Sequence, residues 1–120
     1  MQWKASFWDM KSRDLAKTLS ALGLCARARG LILGTPMICD ALQSRVKPRL
    51  VVCASDNSEN TAKRLSDRCA FYGVPTVTLE CDGERLAHAV GKTARLAAVA
   101  ISDENLCRLV CGTLEQETDT

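Results

Sequence analysis

The chain is poor in histidine and in aromatic side chains. It holds one histidine, His88, in 120 residues. No second imidazole is present for a proton relay or a two-histidine metal site. Aromatic residues make up 4% of the chain, as two Trp, two Phe and one Tyr, and three of these five lie in the first ten residues. No run of about 18 apolar residues occurs, so no membrane-spanning helix is expected. The opening stretch, MQWKASFWDMKSR, lacks an apolar signal core and a small-residue cleavage site, which points to a cytoplasmic protein. The seven cysteines (25, 39, 53, 69, 81, 107 and 111) are odd in number and widely spaced, with no Cys-x-x-Cys. A metal centre usually needs paired short spacings. The thiols therefore read as reduced, small hydrophobes, and no metal or other cofactor is expected.

A complete phosphate loop is also missing. Gly91-Lys92-Thr93 could close one, but the glycine required five residues earlier is Leu86. The segment also runs from helix to strand, the reverse of what a nucleotide loop needs. With His88 placed beside no nucleophile by any motif, no catalytic constellation remains, and the chain reads as a non-enzyme.

An apolar fraction of 47% with 25% charged residues describes one globular domain. Net charge is +2, yet residues 11–111 hold 15 basic and 10 acidic side chains. A basic body with an acidic end is compatible with a polyanionic partner.

Helical and extended segments alternate. An apolar stripe of Leu15, Leu19, Leu22 and Ala26 predicts a helix over about 13–27, with Ser12 as its cap. GLILG reads as a buried strand. Thr35-Pro36 predicts a hydroxyl-capped helix over about 36–44. RLVVCAS is a second strand. A helix follows from the Asp56-Asn57-Ser58 cluster to Gly73, with Ala62, Leu65, Cys69 and Tyr72 turned inward. VPTVTLE is a strand, residues 84–90 a short helix, RLAAVAI a strand, and Ser102-Asp103-Glu104 opens a last helix. The alternation predicts an α/β fold: a single-domain, three-layer α-β-α sandwich around a mixed four-stranded sheet. Residues 13–111 form the expected domain. Residues 1–12 make an aromatic extension carrying Trp3, Phe7 and Trp8, and residues 112–120 an acidic, frayed tail. The three aromatics read first as a helical turn packed on the domain, and alternatively as a contact for a protein partner.

Four segments, LGLCARARGLILG, LVVCASDNSENTAKRLSDRC, YGVP and LAHAVGKTARLAAVAISD, together resemble the bacterial YlxQ-type proteins. These belong to the kink-turn RNA-binding superfamily, with archaeal and eukaryotic large-subunit ribosomal proteins. The likeness spans residues 13–111. It implies a sandwich that binds structured RNA, ribosomal or other, without catalysis. It also implies that Gly91 ends a helix in left-handed geometry. The RNA-binding residues it implies are Arg27, Arg29, Gly34, Thr35, Asn60, Lys63, Lys92 and Arg95. Where the family carries Asn, Glu and Lys for the sheared G·A pairs, this chain has Pro36, Met37 and Asp40. Proline and methionine make no base-edge hydrogen bonds, and each bidentate contact is worth about 1–3 kcal/mol. Standard kink-turn contacts are therefore expected to be weakened. The alternative is a protein-interaction module on the same scaffold.

Overall fold

A computed structural model describes residues 10–12 and 14–116. The aromatic side chains Trp3, Phe7 and Trp8 lie outside the described residues. Strand β1 (Met10–Ser12) leads into helix α1 (Leu15–Arg27), followed by β2 (Leu31–Leu33) and α2 (Thr35–Gln43). Then come β3 (Leu50–Cys53), α3 (Glu59–Tyr72), β4 (Thr76–Thr78) and α4 (Gly83–Ala89). The chain closes with β5 (Ala98–Ile101), α5 (Glu104–Cys111) and β6 (Leu114–Gln116).

Four strands form the central sheet in the order β2-β5-β3-β4. Strand β5 runs antiparallel to both β2 and β3, while β3 and β4 are parallel. The sheet is mixed, as the alternation of elements implies. Alternate residues of each strand feed two separate cores. On one face Leu50, Val52, Val99 and Ile101 pack with Leu19 and Leu22 of α1, Leu86 of α4 and Val110 of α5. On the other, Val51, Cys53, Ala98 and Ala100 pack with Ile38 and Leu42 of α2 and Leu65 and Cys69 of α3. Two cores on opposite faces of one sheet make the three layers. All seven cysteines are free thiols, four of them buried. Among the described residues no helix is long and apolar enough to cross a membrane.

Several local expectations are corrected. The cap of α1 is Asp14, whose carboxylate accepts the Lys17 N–H at 3.3 Å; Ser12 lies in β1, opposite Leu114. The cap of α2 is Gly34, so Thr35 is already the first helical residue and makes no hydroxyl cap. Ala62 is exposed, because the first turn of α3 stands beyond the sheet and borders an open recess with Cys53, Asn57 and Thr76. Strand pairing links residues on the outer side of both expected domain boundaries. Met10–Ser12 pair antiparallel with Leu114–Gln116. Leu114 is buried, and the Thr113 and Thr18 hydroxyls meet at 2.7 Å.

Candidate nucleic-acid interface

One end of the sheet gathers the loops that lead into three helices. There β2, β3 and β4 finish and β5 begins. The Gly34 N–H donates to Ala98 O at 3.2 Å, the Ala54 N–H to Ala97 O at 2.9 Å, and the Leu96 N–H to Gly83 O at 3.1 Å. These bonds bring the starts of α2 and α4 and the 54–58 loop against the 91–97 loop.

A polar clip centred on Asp56 holds the arrangement. Its Oδ1 accepts the Gly83 N–H at 3.0 Å and Arg95 Nη2 at 2.6 Å. The same Nη2 donates to Asp56 O at 3.1 Å and Asn57 Oδ1 at 3.2 Å, while Asn57 Nδ2 donates to Ala97 O at 3.0 Å. Burial pushes the Asp56 carboxyl up, but the hydrogen bonds from Arg95 and Gly83 outweigh it and hold the group below its ordinary value. Residue 83 must be glycine here, since a Cβ would meet Arg95 Cγ at 2.6 Å and Leu96 O at 2.7 Å. Asp56 and Asn57 read from sequence only as caps. Ser58 is the cap of α3, accepting the Thr61 N–H at 3.2 Å, which leaves the two preceding residues for the clip. The separation of Asp56 from Arg95 by 39 residues hides the pairing from any local pattern.

The Gly91-Lys92-Thr93 segment has a structural explanation. The Gly91 N–H donates to His88 O at 3.1 Å and the Lys92 N–H to Ala87 O at 2.9 Å. With Gly91 at φ 80°, this is a Schellman ending of α4, which favours glycine because it lacks a Cβ. Beyond it Lys92, Thr93 and Ala94 are exposed, and Lys92 has no ion pair among the described residues.

The implied RNA-binding residues do not all gather. Gly34 and Thr35 stand at the start of α2, and Asn60 is exposed in the first turn of α3. Lys63, one turn on, donates to Asp67 at 3.0 Å. Arg95 commits Nη2 to the clip, and its remaining N–H groups have no partner among the described residues. Arg27 borders a recess shared with His88 and Gly91. Arg29 departs from the group. It precedes β2, whose first residue pairs with Ile101 at the far end of β5, so roughly 10 Å of strand separates it from Gly34.

Helix α2 differs from the other four described helices at its start. Asp14, Ser58, Asp82 and Asp103 each cap a helix with a side-chain oxygen. Gly34 has no side chain to do so, and Pro36 brings no N–H. The Thr35 and Met37 N–H groups are left without a side-chain acceptor at the positive end of the helix dipole. Met37 is 59% exposed there, and Asp40 is exposed on the next turn.

Residues 16–110 match the Ribosomal protein L7Ae/L30e/S12e/Gadd45 family. The chain belongs to that family. It is 32% identical over 94 residues to the RNA-binding protein YlxQ of Bacillus subtilis (strain 168), covering 78% of this chain and 91% of the relative. The RNA-binding protein YlxQ of Enterococcus faecium is 29% identical over 90 residues, 75% of this chain and 85% of its own. Among solved structures, a protein of unknown function from Bacillus halodurans C superposes with a TM-score of 0.73 at 34% identity, covering 82% of this chain and 96% of its own. The Giardia lamblia 15.5kD RNA binding protein has a TM-score of 0.70 at 20% identity, with 82% of each chain covered. That second likeness shows the shared fold.

Proposed function

We propose that this chain binds structured RNA, without catalysing a reaction, through the end of the sheet described above. The observation that carries the reading is the uncapped start of α2, at the same end of the sheet as the exposed Lys92–Ala94 loop. Backbone N–H groups and the dipole at a helix start receive a phosphate. Lys92 and the uncommitted edge of Arg95 add positive charge, while Met37, Thr93 and Ala94 offer apolar surface to splayed bases. The clip through Asp56 fixes the 91–97 loop beforehand, which reduces the ordering needed on binding. The YlxQ relatives bear the name RNA-binding protein, which agrees with this assignment.

Kink-turn recognition follows in weakened form. The residues at the α2 start provide N–H groups but no side chains for sheared G·A pairs, and Asp40 opposes phosphate. Binding should therefore depend on phosphate more than on those pairs. Lys92→Glu should weaken binding to structured RNAs of different sequence by a similar factor and lower the salt slope by about 1. A filter-binding series over several salt concentrations measures both quantities, and an unchanged slope would remove Lys92 from the interface.

A second reading places an apolar protein partner on the α2 start, favoured by the exposure of Met37. It predicts that Met37→Ala impairs that contact while affinity changes little with salt.

A further inference from the structure

The exposed face of α3 leads from this interface to the opposite end of the molecule. Asn60, Arg64, Arg68 and Phe71 recur at helical spacing and are all exposed. Fourteen residues of helix span about 21 Å. At the far end Phe71 is 80% exposed, which no packing requirement explains. Its ring is fixed edge-on against Tyr72, with centroids 4.9 Å apart and planes at 88°. Lys47 Nζ lies 5.4 Å from the Tyr72 centroid and donates to Ser44 O at 2.9 Å, so the platform is supported from the 44–48 loop. Val46, beside Lys47, is 72% exposed.

The charge around this ring is one-sided. Residues 44–48 and 64–72 contain Arg45, Lys47, Arg64 and Arg68 against a single acid, Asp67, and Asp67 is engaged by Lys63 at 3.0 Å; Arg49, next along, is paired with Glu104 at 3.9 Å. An isolated exposed ring flanked by cations matches the way unpaired nucleic acid is held, with a base stacked on the ring and phosphates tracked by Lys and Arg. A protein partner of ordinary kind would call for a broader apolar patch.

We infer that the exposed face of α3, ending on Phe71, is a track for an unpaired RNA strand that extends from the structured RNA bound at the α2 end. In its continuity with that interface the inference rests on the proposed function, whereas the Phe71 platform can be tested by itself. Arg64 and Arg68 take phosphates along the helix, Lys47 takes one beside Tyr72, and Phe71 stacks a base.

The test is an NMR titration of the full chain, following the Phe71 and Tyr72 ring signals, with a short oligoadenylate, alone and as an extension of a kink-turn RNA. The oligoadenylate alone should shift both rings, and Phe71→Ala should weaken its binding roughly tenfold or more. Lys47→Glu and Arg68→Glu should each lower its salt slope by about 0.7. On the kink-turn RNA the extension should tighten binding, and Phe71→Ala should remove only that gain. An oligoadenylate that leaves Phe71 unmoved while kink-turn RNA binds would overturn the track and preserve the proposed function. Ring shifts with oligoadenylate but no binding of structured RNA would overturn the proposed function and the continuity, and leave the platform standing. Ring signals that move with protein concentration alone would mark a protein contact and overturn the inference.

Discussion

At Arg95 one guanidinium nitrogen ties the 91–97 loop to the 54–58 loop, and Asp56 in turn holds the start of α4. This geometry makes Asp56, as much as Arg95, a determinant of the 91–97 loop. The Asp56 carboxyl lies below its ordinary value of 3.8, since hydrogen bonds from Arg95 and Gly83 outweigh the upward push of burial. A carboxyl depressed in the folded state stabilises it fully above the unfolded value, and the contribution is lost as pH falls through the folded value. Asp56→Asn should therefore lower the melting temperature at neutral pH, with the gap to the parent chain closing on acidification below about pH 4. Melting curves across that range check the sign; a gap that stays constant would show that the charge of Asp56 is not what matters. A second residue-scale consequence concerns α5, where Cys107 Sγ and Cys111 Sγ are 3.8 Å apart. The hydrogen bond the two thiols share lowers the Cys111 thiol to about 7 against the opposing effect of burial, and Cys107 is pushed up by the same bond and by burial. Alkylation followed by mass spectrometry should find Cys111 reacting first, with a rate rising through neutral pH. Cys107→Ala should move that rise to higher pH.

At the scale of elements, what was legible followed periodicity. The stripe through Leu19 and Leu22 located α1, and Leu65 and Cys69 located α3, because apolar residues at helical spacing have one face to bury. Leu22 is fully buried between α1 and the sheet, so Leu22→Ala should cost about 2–5 kcal/mol in a denaturant titration. Strands β1 and β6 were not legible: three residues each carry too little alternation to stand out, and their pairing joins the two ends of the domain. The start of α2 was misplaced by one residue, since Thr-Pro reads as cap and first turn, whereas Gly34 at φ 89° already redirects the chain out of β2. The resemblance groups Arg29 with Gly34 as RNA-binding residues, and the strand register separates them. Gly83 shows propensity and packing in opposition. Alanine in the first turn of α4 would gain helix propensity of up to about 1 kcal/mol. The collision with the Leu96 carbonyl and the Arg95 stem should nevertheless make Gly83→Ala destabilising by about 1–3 kcal/mol. A stabilised variant would show that the clip yields.

At the scale of the molecule, the two ends of the sheet have different chemistry. One presents an uncapped helix start and the exposed Lys92 loop; the other presents a fixed aromatic pair among cations. The fold class was legible because alternating segments with two-sided apolar strands leave few solutions besides a three-layer sandwich. The candidate site was legible only in part: the family resemblance proposes residues for it, whereas the Asp56 clip, 39 residues across in sequence, depends on tertiary contact. The measurement that bears most directly on the central claim is a titration of the full chain with a kink-turn RNA and with a control lacking its G·A pairs, each at two salt concentrations. The account predicts that both RNAs bind, that both weaken steeply with salt, and that less than about tenfold separates them, because Pro36 and Met37 make no bidentate base contacts. Absence of binding at low salt would contradict the assignment of structured RNA as the ligand, and a preference of a hundredfold or more for the G·A pairs would contradict the account of the α2 start.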